Sequence, residues 1–417
     1  MPYGPQTRTP STGKGLHPQS APEVTHGQRQ GCPSRNTPAS DGTTSMINTI
    51  TLRIQTALGL PRWLSIADRT QTAIDAGGAV AILLIYMLYS PTMPLWVGGV
   101  GVALLSTAFF LHPTARPWYV TASTIALMAL WSIGAFGAAR WGYGESTMSL
   151  TLAMGSLLLY MVIHTQFSER FLGWLAAGTY VHAFIAIGQG FQHFRDPLYR
   201  ATGITANPDP AGGLLGFAII YLIATRRWYL TAPLFLALHL TATRLAFWCV
   251  LGFVVVLCIR RCIPWQGLVT IGVTLAIATW FFWPQAARLY FIDNQSPAEV
   301  VERQIELRLH APSQPTADTQ HSSLLTLASQ WLPRGYAGDI GAHATPIRLY
   351  WEIGIGGIVA IAFLSWVGFR NASATQRLLL ALLLAFSSLD YYVIMVPGLL
   401  IVGSLIAIGI RGERCSI

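Results

Sequence analysis

One histidine stands where the sequence changes from polar to apolar, which makes it the first candidate for chemistry. His343 ends a glycine-rich run, residues 334–343, and a hydrophobic segment begins at Pro346. An imidazole at such a boundary can accept a proton from a hydroxyl group at neutral pH. The plainer alternative is that His343 only caps the helix that follows. We predict a catalytic role for His343 because arginines accompany it on the same predicted face of the protein.

Arginines near the ends of apolar segments form the second candidate group. A guanidinium group offers a planar fork of hydrogen-bond donors that suits phosphate oxygens. An arginine at a membrane boundary often serves only as an anchor, but the outer ends of membrane helices have no need of positive anchors. We therefore predict that outer-face arginines hold a phosphate group while His343 acts on an acceptor. The predicted phosphate-binding residues are Arg195, Arg200, Arg244, Arg303 and Arg308.

An acidic and a basic residue lie inside the apolar segment that follows His343. Arg348 and Glu352 share one face of a helix and can pair. Since Glu352 is about half a turn out of phase with His343, we interpret Glu352 and Arg348 as structural or orienting residues. Other ionisable residues inside apolar segments, among them His182, are candidates whose partners the sequence does not identify. No cluster with metal-ligand spacing accompanies these residues, so we predict no metal and no other cofactor.

The composition is that of a membrane protein. Of the 417 residues, 53% are hydrophobic and only 10% are charged, whereas soluble domains carry about 25% charged residues. The formal net charge is +9, but the arginines that produce it lie mostly in short loops between apolar segments. That placement indicates membrane topology rather than a nucleic-acid partner.

The sequence predicts an all-α membrane bundle of about twelve transmembrane helices. Residues 1–45 are rich in Pro, Ser, Thr, Gly and Gln and are predicted to be disordered. Residues 46–72 mix apolar residues with arginines and are predicted to form an amphipathic helix at the membrane interface. Residues 73–283 are predicted to hold nine spans, residues 284–345 a long loop, and residues 346–417 three more spans. The predicted spans are 73–90, 95–112, 118–139, 146–165, 170–190, 210–225, 228–242, 244–260, 265–283, 346–369, 376–390 and 392–410.

Loop charges predict the orientation of the bundle. If the N-terminus lies in the cytoplasm, each cytoplasmic loop carries at least one arginine, and later loops carry pairs such as Arg226 with Arg227. An even number of spans places both termini in the cytoplasm and the long loop outside, in the periplasm of a bacterial inner-membrane protein. Ser296 and Glu299 predict a helix within that loop. Loops longer than about 12–15 residues usually have a function, and we predict that this one covers the active site.

Three short motifs resemble those of the bacterial O-antigen ligase and O-antigen polymerase family. Residues 207–212, Asn-Pro-Asp-Pro-Ala-Gly, resemble the family's Asn-Pro-Asn motif before a span, and residues 243–246, Thr-Arg-Leu-Ala, resemble its Ser-Arg opening of a span. His343 followed by residues 351–357, Trp-Glu-Ile-Gly-Ile-Gly-Gly, resembles its His-Asn and Glu-x-Gly-x-x-Gly pattern. The resemblance covers about residues 200–417. The departures from the motifs are Asp209 for Asn, Thr243 for Ser and Ala344 for Asn.

The resemblance implies a membrane glycosyltransferase that works without a metal. Its donor would be a glycan linked to undecaprenyl diphosphate, which is held in the membrane lipid. Its acceptor would be lipid A–core in a ligase or another repeat unit in a polymerase. The arginines would hold the diphosphate, and His343 would orient or deprotonate the attacking hydroxyl group. A single displacement would invert the anomeric carbon.

Two other classes of function fit the composition. A multi-pass transporter of a lipid-linked sugar or small molecule would place polar groups and broken helices near the middle of the membrane, often with an internal repeat. The sequence shows no clear repeat between its halves, and its polar residues concentrate near the predicted outer face, which favours the enzyme. A non-catalytic assembly protein is the third alternative.

Overall fold

The structure, a computed structural model, describes the helical part of the chain. The described residues are 66–87, 94–141, 146–194, 196, 199–205, 207–283, 289, 345–389 and 396–413. They belong to one structural unit, Leu64–Ile417. The segment predicted to be disordered, most of the segment predicted to be interfacial and nearly all of the predicted long loop lie outside the described residues.

Within the described residues the elements are twelve α-helices and one 3-10 turn, without a β-strand. The absence of strands from the described residues confirms the all-α fold class. Each α-helix overlaps one predicted span, and the count of twelve spans stays a prediction. The first helix begins earlier than predicted, at Ile66, inside the segment predicted to be interfacial. The helices are α1 (Ile66–Met87), α2 (Leu95–Leu111), α3 (Trp118–Trp141), α4 (Ser146–His164), α5 (Arg170–Gln192), α6 (Pro208–Ala224), α7 (Ala232–Leu240), α8 (Arg244–Ile259), α9 (Trp265–Phe281), α10 (Thr345–Asn371), α11 (Ala374–Leu389) and α12 (Val396–Glu413).

Four of these helices, α1, α3, α5 and α10, are long and apolar enough to cross a membrane. Most of the others are equally apolar but shorter. Helix α7 has 9 residues, and a rise of about 1.5 Å per residue makes it about 14 Å long. That is roughly half of the hydrocarbon core of a bilayer. The predicted span at 228–242 is therefore divided into the 3-10 turn Trp228–Leu230 and a helix too short to cross a membrane alone.

Two helices are buried along almost their whole length. Residues 397–410 of α12 are all buried, and α6 is buried from Pro210 to Ile223 except at Tyr221. A helix that is apolar on every side belongs in the interior of a bundle. Helix α6 packs against α5, α7, α8 and α11, whereas α12 packs against α1, α4, α10 and α11. Helix α11 therefore joins the two groups.

Small residues let α8 approach α6 closely. A Cβ atom on Gly212 would lie 2.9 Å from the Cβ of Ala246 and 3.1 Å from that of Thr243. A Cβ atom on Gly216 would lie 2.8 Å from Cγ2 of Val250. Glycines at this spacing share one helix face and bring apolar helices into close contact. The packing sets the N-terminus of α8 beside that of α6.

Candidate functional site

Three segments of the chain meet around the side chain of Arg200: the loop before α6, the N-terminus of α6, and the turn between α7 and α8. Arg200 Nε donates to the carbonyl oxygen of Thr241 at 3.1 Å. Arg200 Nη2 donates to Asp209 Oδ1 at 2.8 Å and to Thr243 Oγ1 at 3.2 Å. The guanidinium group therefore ties all three segments together. We call this place the arginine junction, formed by Arg200, Asp209, Thr241, Thr243 and Arg244.

Two helices begin at the arginine junction. Asn207 caps α6, because its side-chain oxygen accepts a hydrogen bond from the Asp209 backbone N–H at 3.0 Å, and Pro208 occupies the first turn. Thr243 precedes α8, and its hydroxyl group donates to the Pro208 carbonyl oxygen at 2.9 Å. The two helix N-termini therefore lie side by side. Because helix N-termini carry partial positive charge, their position favours an anion between them.

Arg244 is the first residue of α8 and is half-buried at the arginine junction. It directly follows Thr243, whose hydroxyl oxygen accepts a hydrogen bond from Arg200. Arg200 therefore contacts the residue directly before Arg244, a second predicted phosphate-binding residue, although the two arginines lie far apart in the sequence. The side chains of Arg200 and Asp209 are 33% and 29% exposed, so a ligand has access to the junction.

Asp209 reduces the positive charge that Arg200 can offer to a ligand. Its carboxylate forms an ion pair with the guanidinium group at 2.8 Å, which neutralises much of the positive charge. Two nitrogen atoms of Arg200 already bind protein oxygens, so the observed role of this arginine is to organise the junction. Binding of Arg200 to phosphate stays a prediction. In the sequence Asp209 is recognisable only as a departure from a motif, because Arg200 lies in an irregular loop and no spacing pattern connects the two residues.

We expect the Asp209→Asn variant to bind inorganic diphosphate more tightly than the wild type does. The substitution keeps the shape of the side chain and removes a negative charge beside the site. Two unit charges about 4 Å apart in water interact by about 1 kcal/mol, which corresponds to roughly a fivefold change in affinity. Isothermal titration calorimetry on the detergent-purified protein measures the change.

Asp196→Asn is the matched control for this experiment. It removes the same charge from an exposed position between α5 and α6. Equal gains in both variants would show an effect of net charge alone. An unchanged or weaker affinity in Asp209→Asn would contradict the placement of the anion beside Asp209.

The loop that carries Arg200 folds back alongside α5. Gln189 Oε1 accepts hydrogen bonds from the backbone N–H groups of Thr202 at 3.0 Å and Gly203 at 2.9 Å. Gln189 Nε2 donates to the carbonyl oxygen of Gly203 at 3.2 Å. One glutamine side chain thus replaces the hydrogen bonds that a regular element would provide. We call residues 199–207 the return loop; the structure describes all of them except residue 206.

The return loop extends along α5 from its C-terminal end to the middle of the helix. His182 Nδ1 accepts a hydrogen bond from the Ile204 backbone N–H at 3.0 Å, and both residues are buried. Helix α5 ends at Gln192, so at about 1.5 Å per residue His182 lies about 15 Å from the helix end. Irregular backbone therefore lies beside the middle of a helix that is long enough to cross a membrane. The sequence identified His182 as ionisable but not its partner, and it did not identify Gln189 at all.

Helix α10 contains a break beside Glu352. Gly354 has φ 68° and ψ −174° inside the helix, a conformation that is essentially restricted to glycine. Glu352 is 1% exposed, and α10 packs against α3, α11 and α12. Helix α11 also packs against α6 and α8, so it connects the broken helix with the helices of the arginine junction. A structural or orienting role for Glu352 stays a prediction.

Four of the predicted site residues, His343, Arg195, Arg303 and Arg308, lie outside the described residues. Arg348 lies on α10, where only its backbone is described. Their predicted roles, including the pairing of Arg348 with Glu352, stay predictions. Within the described ranges, no group of three or more His, Cys, Asp and Glu side chains could hold a metal ion.

Arginines of the predicted cytoplasmic loops contact the opposite ends of helices. Arg116 Nε donates to the carbonyl oxygen of Ile163 at 2.6 Å, at the C-terminus of α4. Arg377 donates to two carbonyl oxygens at the C-terminus of α10. A cation is favourable at a helix C-terminus and unfavourable at an N-terminus. Arg200 and Arg244, at N-termini, therefore differ physically from the arginines that cap C-termini.

The described part of the chain thus defines an all-helical protein with helices long enough to cross a membrane and a cationic junction between helix N-termini. Comparisons with known proteins do not assign it to a family: no family model, no curated protein and no solved structure matches the chain. The resemblance to O-antigen ligases rests on the motifs of the sequence.

Proposed function

We propose that the protein is a membrane glycosyltransferase of the O-antigen ligase or polymerase type. It transfers a glycan from undecaprenyl diphosphate to lipid A–core, as a ligase, or to another repeat unit, as a polymerase. The reaction takes place at the periplasmic face of a bacterial inner membrane. The observation that carries this proposal is the arginine junction.

Arginine side chains at the N-termini of two adjacent helices suit an anion. A cation beside a helix N-terminus is unfavourable by about 0.3–1 kcal/mol, and an anion between the cations and the helix ends offsets that cost because it attracts both. A diphosphate has several negatively charged oxygens and matches the fork of a guanidinium group. Because Asp209 partly neutralises Arg200, we assign the principal diphosphate contact to Arg244.

The arginine junction also joins two of the motifs that suggested the family. Residues 207–212 and residues 243–246 meet through the hydrogen bond from the Thr243 hydroxyl group to the Pro208 carbonyl oxygen, at 2.9 Å. The glycine-mediated packing of α6 on α8 holds the same two segments together. Two short motifs that are separate in the sequence are expected to meet in space if they form one site. Their contact supports the family resemblance.

The proposed reaction is a single displacement at the anomeric carbon of the donor glycan. The acceptor hydroxyl oxygen forms a bond to that carbon, and the bond from the carbon to the diphosphate oxygen breaks. His343 takes the hydroxyl proton, and undecaprenyl diphosphate leaves with the electron pair. Arg244 and the two helix N-termini stabilise the negative charge that develops on the leaving group. The anomeric configuration is inverted.

The proposal includes the topology predicted from the loop charges. In that topology the 3-10 turn Trp228–Leu230 and α7 together make one of twelve crossings, because α7 alone is too short. Both termini then lie in the cytoplasm, and residues 284–345 lie in the periplasm and bring His343 to the reaction. Since the donor is a lipid, it enters the site from the side of the bundle. Arg303 and Arg308, in the same segment, then contribute further diphosphate contacts.

A transporter of a lipid-linked sugar or small molecule is the second candidate function. The break in α10 at Gly354 and the return loop favour it, because transporters build midplane sites from discontinuous helices and irregular backbone. The two functions differ in what happens to the glycan. A transferase forms a new glycosidic bond, whereas a transporter moves the glycan without changing it.

Deletion of the gene followed by electrophoresis of lipopolysaccharide separates the candidate functions. Loss of the long-chain ladder with accumulation of carrier-linked polymer supports a ligase, and a product with a single repeat unit supports a polymerase. Unchanged glycans together with lost uptake or export would support the transporter and contradict the proposal. Complementation with the wild-type gene is the control for effects on neighbouring genes.

A further inference from the structure

We infer that the return loop is a re-entrant element that positions the arginine junction, and that Gln189 and His182 are the positioning residues that hold it. The inference rests on the proposed function only in taking the junction as the diphosphate site. The return loop carries Arg200, the residue that ties the three segments together.

Hydrogen bonds to two side chains hold the return loop in position. The backbone N–H groups of Thr202, Gly203 and Ile204 are consecutive, and their acceptors are side-chain atoms of Gln189 and His182. Irregular backbone at membrane depth is tolerated only where protein or enclosed water satisfies its polar groups. If either side chain loses its acceptor atom, buried N–H groups are left without a partner, and the loop is no longer stable in its place.

The shape of the return loop is fitted to the His182 ring. Gly203 has φ 60°, and a Cβ atom there would lie 2.2 Å from Cε1 of His182. Any side chain at this position would therefore collide with the ring as well as strain the backbone. Glycine lets the chain reverse directly against the imidazole, so that the next N–H group, that of Ile204, points at Nδ1.

Among the described residues, one nitrogen atom of His182 has a hydrogen-bond partner. Nδ1 is an acceptor, so the neutral ring carries its proton on Nε2. Nε2 is buried and has no hydrogen-bond partner among the described residues. An asparagine side chain places its amide oxygen at about the position of Nδ1 and has no group at the position of Nε2. Asparagine can therefore keep the contact that the loop needs, whereas leucine keeps only the volume.

A short path of hydrogen bonds connects the return loop to the proposed diphosphate site. The Ala201 backbone N–H donates to the Leu240 carbonyl oxygen at 2.9 Å, at the end of α7. Arg200 Nε donates to the next carbonyl oxygen, that of Thr241. The turn between α7 and α8 contains Ala242 with φ 48°, an unfavourable conformation for a residue with a Cβ atom. The return loop thus donates hydrogen bonds to the strained turn between α7 and α8, and Arg244 directly follows that turn.

The first test measures whether His182 holds the return loop in its buried position. In a full-length protein whose five native cysteines are replaced by alanine, Thr205→Cys provides a reporter on the return loop, because Thr205 is only 2% exposed. We expect slow maleimide labelling in this background and in His182→Asn. We expect labelling roughly tenfold faster or more in His182→Leu, because the loop opens locally when a buried hydrogen bond is lost.

The second test measures whether the loop positions the site. Calorimetric titration with inorganic diphosphate should give an affinity roughly tenfold weaker in His182→Leu and within about twofold of the wild type in His182→Asn. Gln189→Met should behave like His182→Leu, because methionine has nearly the size of glutamine and offers the loop no oxygen acceptor. Arg244→Ala serves as the reference for loss of the site.

The outcomes separate this inference from the proposed function. Normal diphosphate affinity in His182→Leu, with binding lost in Arg244→Ala, would overturn the inference and leave the proposed function intact. Labelling that does not differ between His182→Leu and His182→Asn would overturn the role of His182 whatever the affinity. A wild-type protein that binds no diphosphate would overturn the proposed function and the positioning role together, while the labelling would still decide whether His182 holds the loop.

Discussion

Replacing Arg244 by lysine should slow glycan transfer roughly ten- to hundredfold, because a charged hydrogen bond contributes about 1.5–3 kcal/mol. Lysine keeps the positive charge at the start of α8 but loses the planar fork that binds two phosphate oxygens at once. Arg244 is the first residue of that helix and half-buried, so a flexible ammonium group cannot reproduce the geometry. The measurement is a transfer assay with purified enzyme and an undecaprenyl-diphosphate-linked donor.

The matched control is Arg140→Lys. Arg140 is an exposed arginine near the end of α3, on the same predicted outer face. It should keep its full transfer rate and its level in the membrane. If Arg244→Lys also turns over at a near-normal rate and is expressed normally, Arg244 is an anchor and the arginine junction is not the diphosphate site.

Replacing His343 by alanine should slow transfer at least a hundredfold, which is within the range of about 10²–10⁴-fold for general-base catalysis. The variant should still reach the membrane and bind the lipid-linked donor, because the proposed diphosphate contacts come from arginines. Histidine side chains have an ordinary pKa of about 6.5, and the imidazolium form cannot take a proton. The wild-type rate should therefore fall as the pH drops from 8 through this pKa to 5.

His343→Gln distinguishes proton transfer from positioning. Glutamine can hydrogen-bond to the acceptor hydroxyl group but does not take its proton. A rate near that of the wild type in this variant would mean that His343 only positions the acceptor. His112→Ala, at a histidine that follows α2 on the predicted cytoplasmic side, is the control for loss of an imidazole. Full activity in His343→Ala would place the active site elsewhere.

The positions of the helices were predictable from the sequence because apolar segments in a membrane satisfy their backbone hydrogen bonds internally, as helices. Long apolar runs therefore located the helices of the described residues. The ends were less predictable. Helix α1 begins at Ile66 because a polar first turn containing Asp68 is compatible with a helix. The segment at 228–242 contains fewer helical residues than its apolar composition suggests.

The arginine junction was predictable in part. Motifs and the positive-inside rule selected Arg200 and Arg244, and in the structure Arg200 contacts Thr243, the residue directly before Arg244. The ion pair of Arg200 with Asp209 was not predictable, because it depends on the path of an irregular loop. The break at Gly354 and the turn at Gly203 were missed for a related reason: a glycine in the sequence does not reveal the sign of its φ angle. Contacts between a side chain and a distant backbone group, such as Gln189 with Gly203, follow no period.

The return loop also constrains the order in which the protein assembles during insertion into the membrane. Its Ala201 N–H group and the Arg200 side chain take their acceptors from the end of α7, and Arg200 and Thr241 are 41 positions apart. When α5 enters the membrane, α7 has not yet followed it, so those acceptors are not in place. The loop can therefore take its final position only after α6 and α7 have followed. It thus takes that position late in maturation, after insertion of α7, and the arginine junction forms only then.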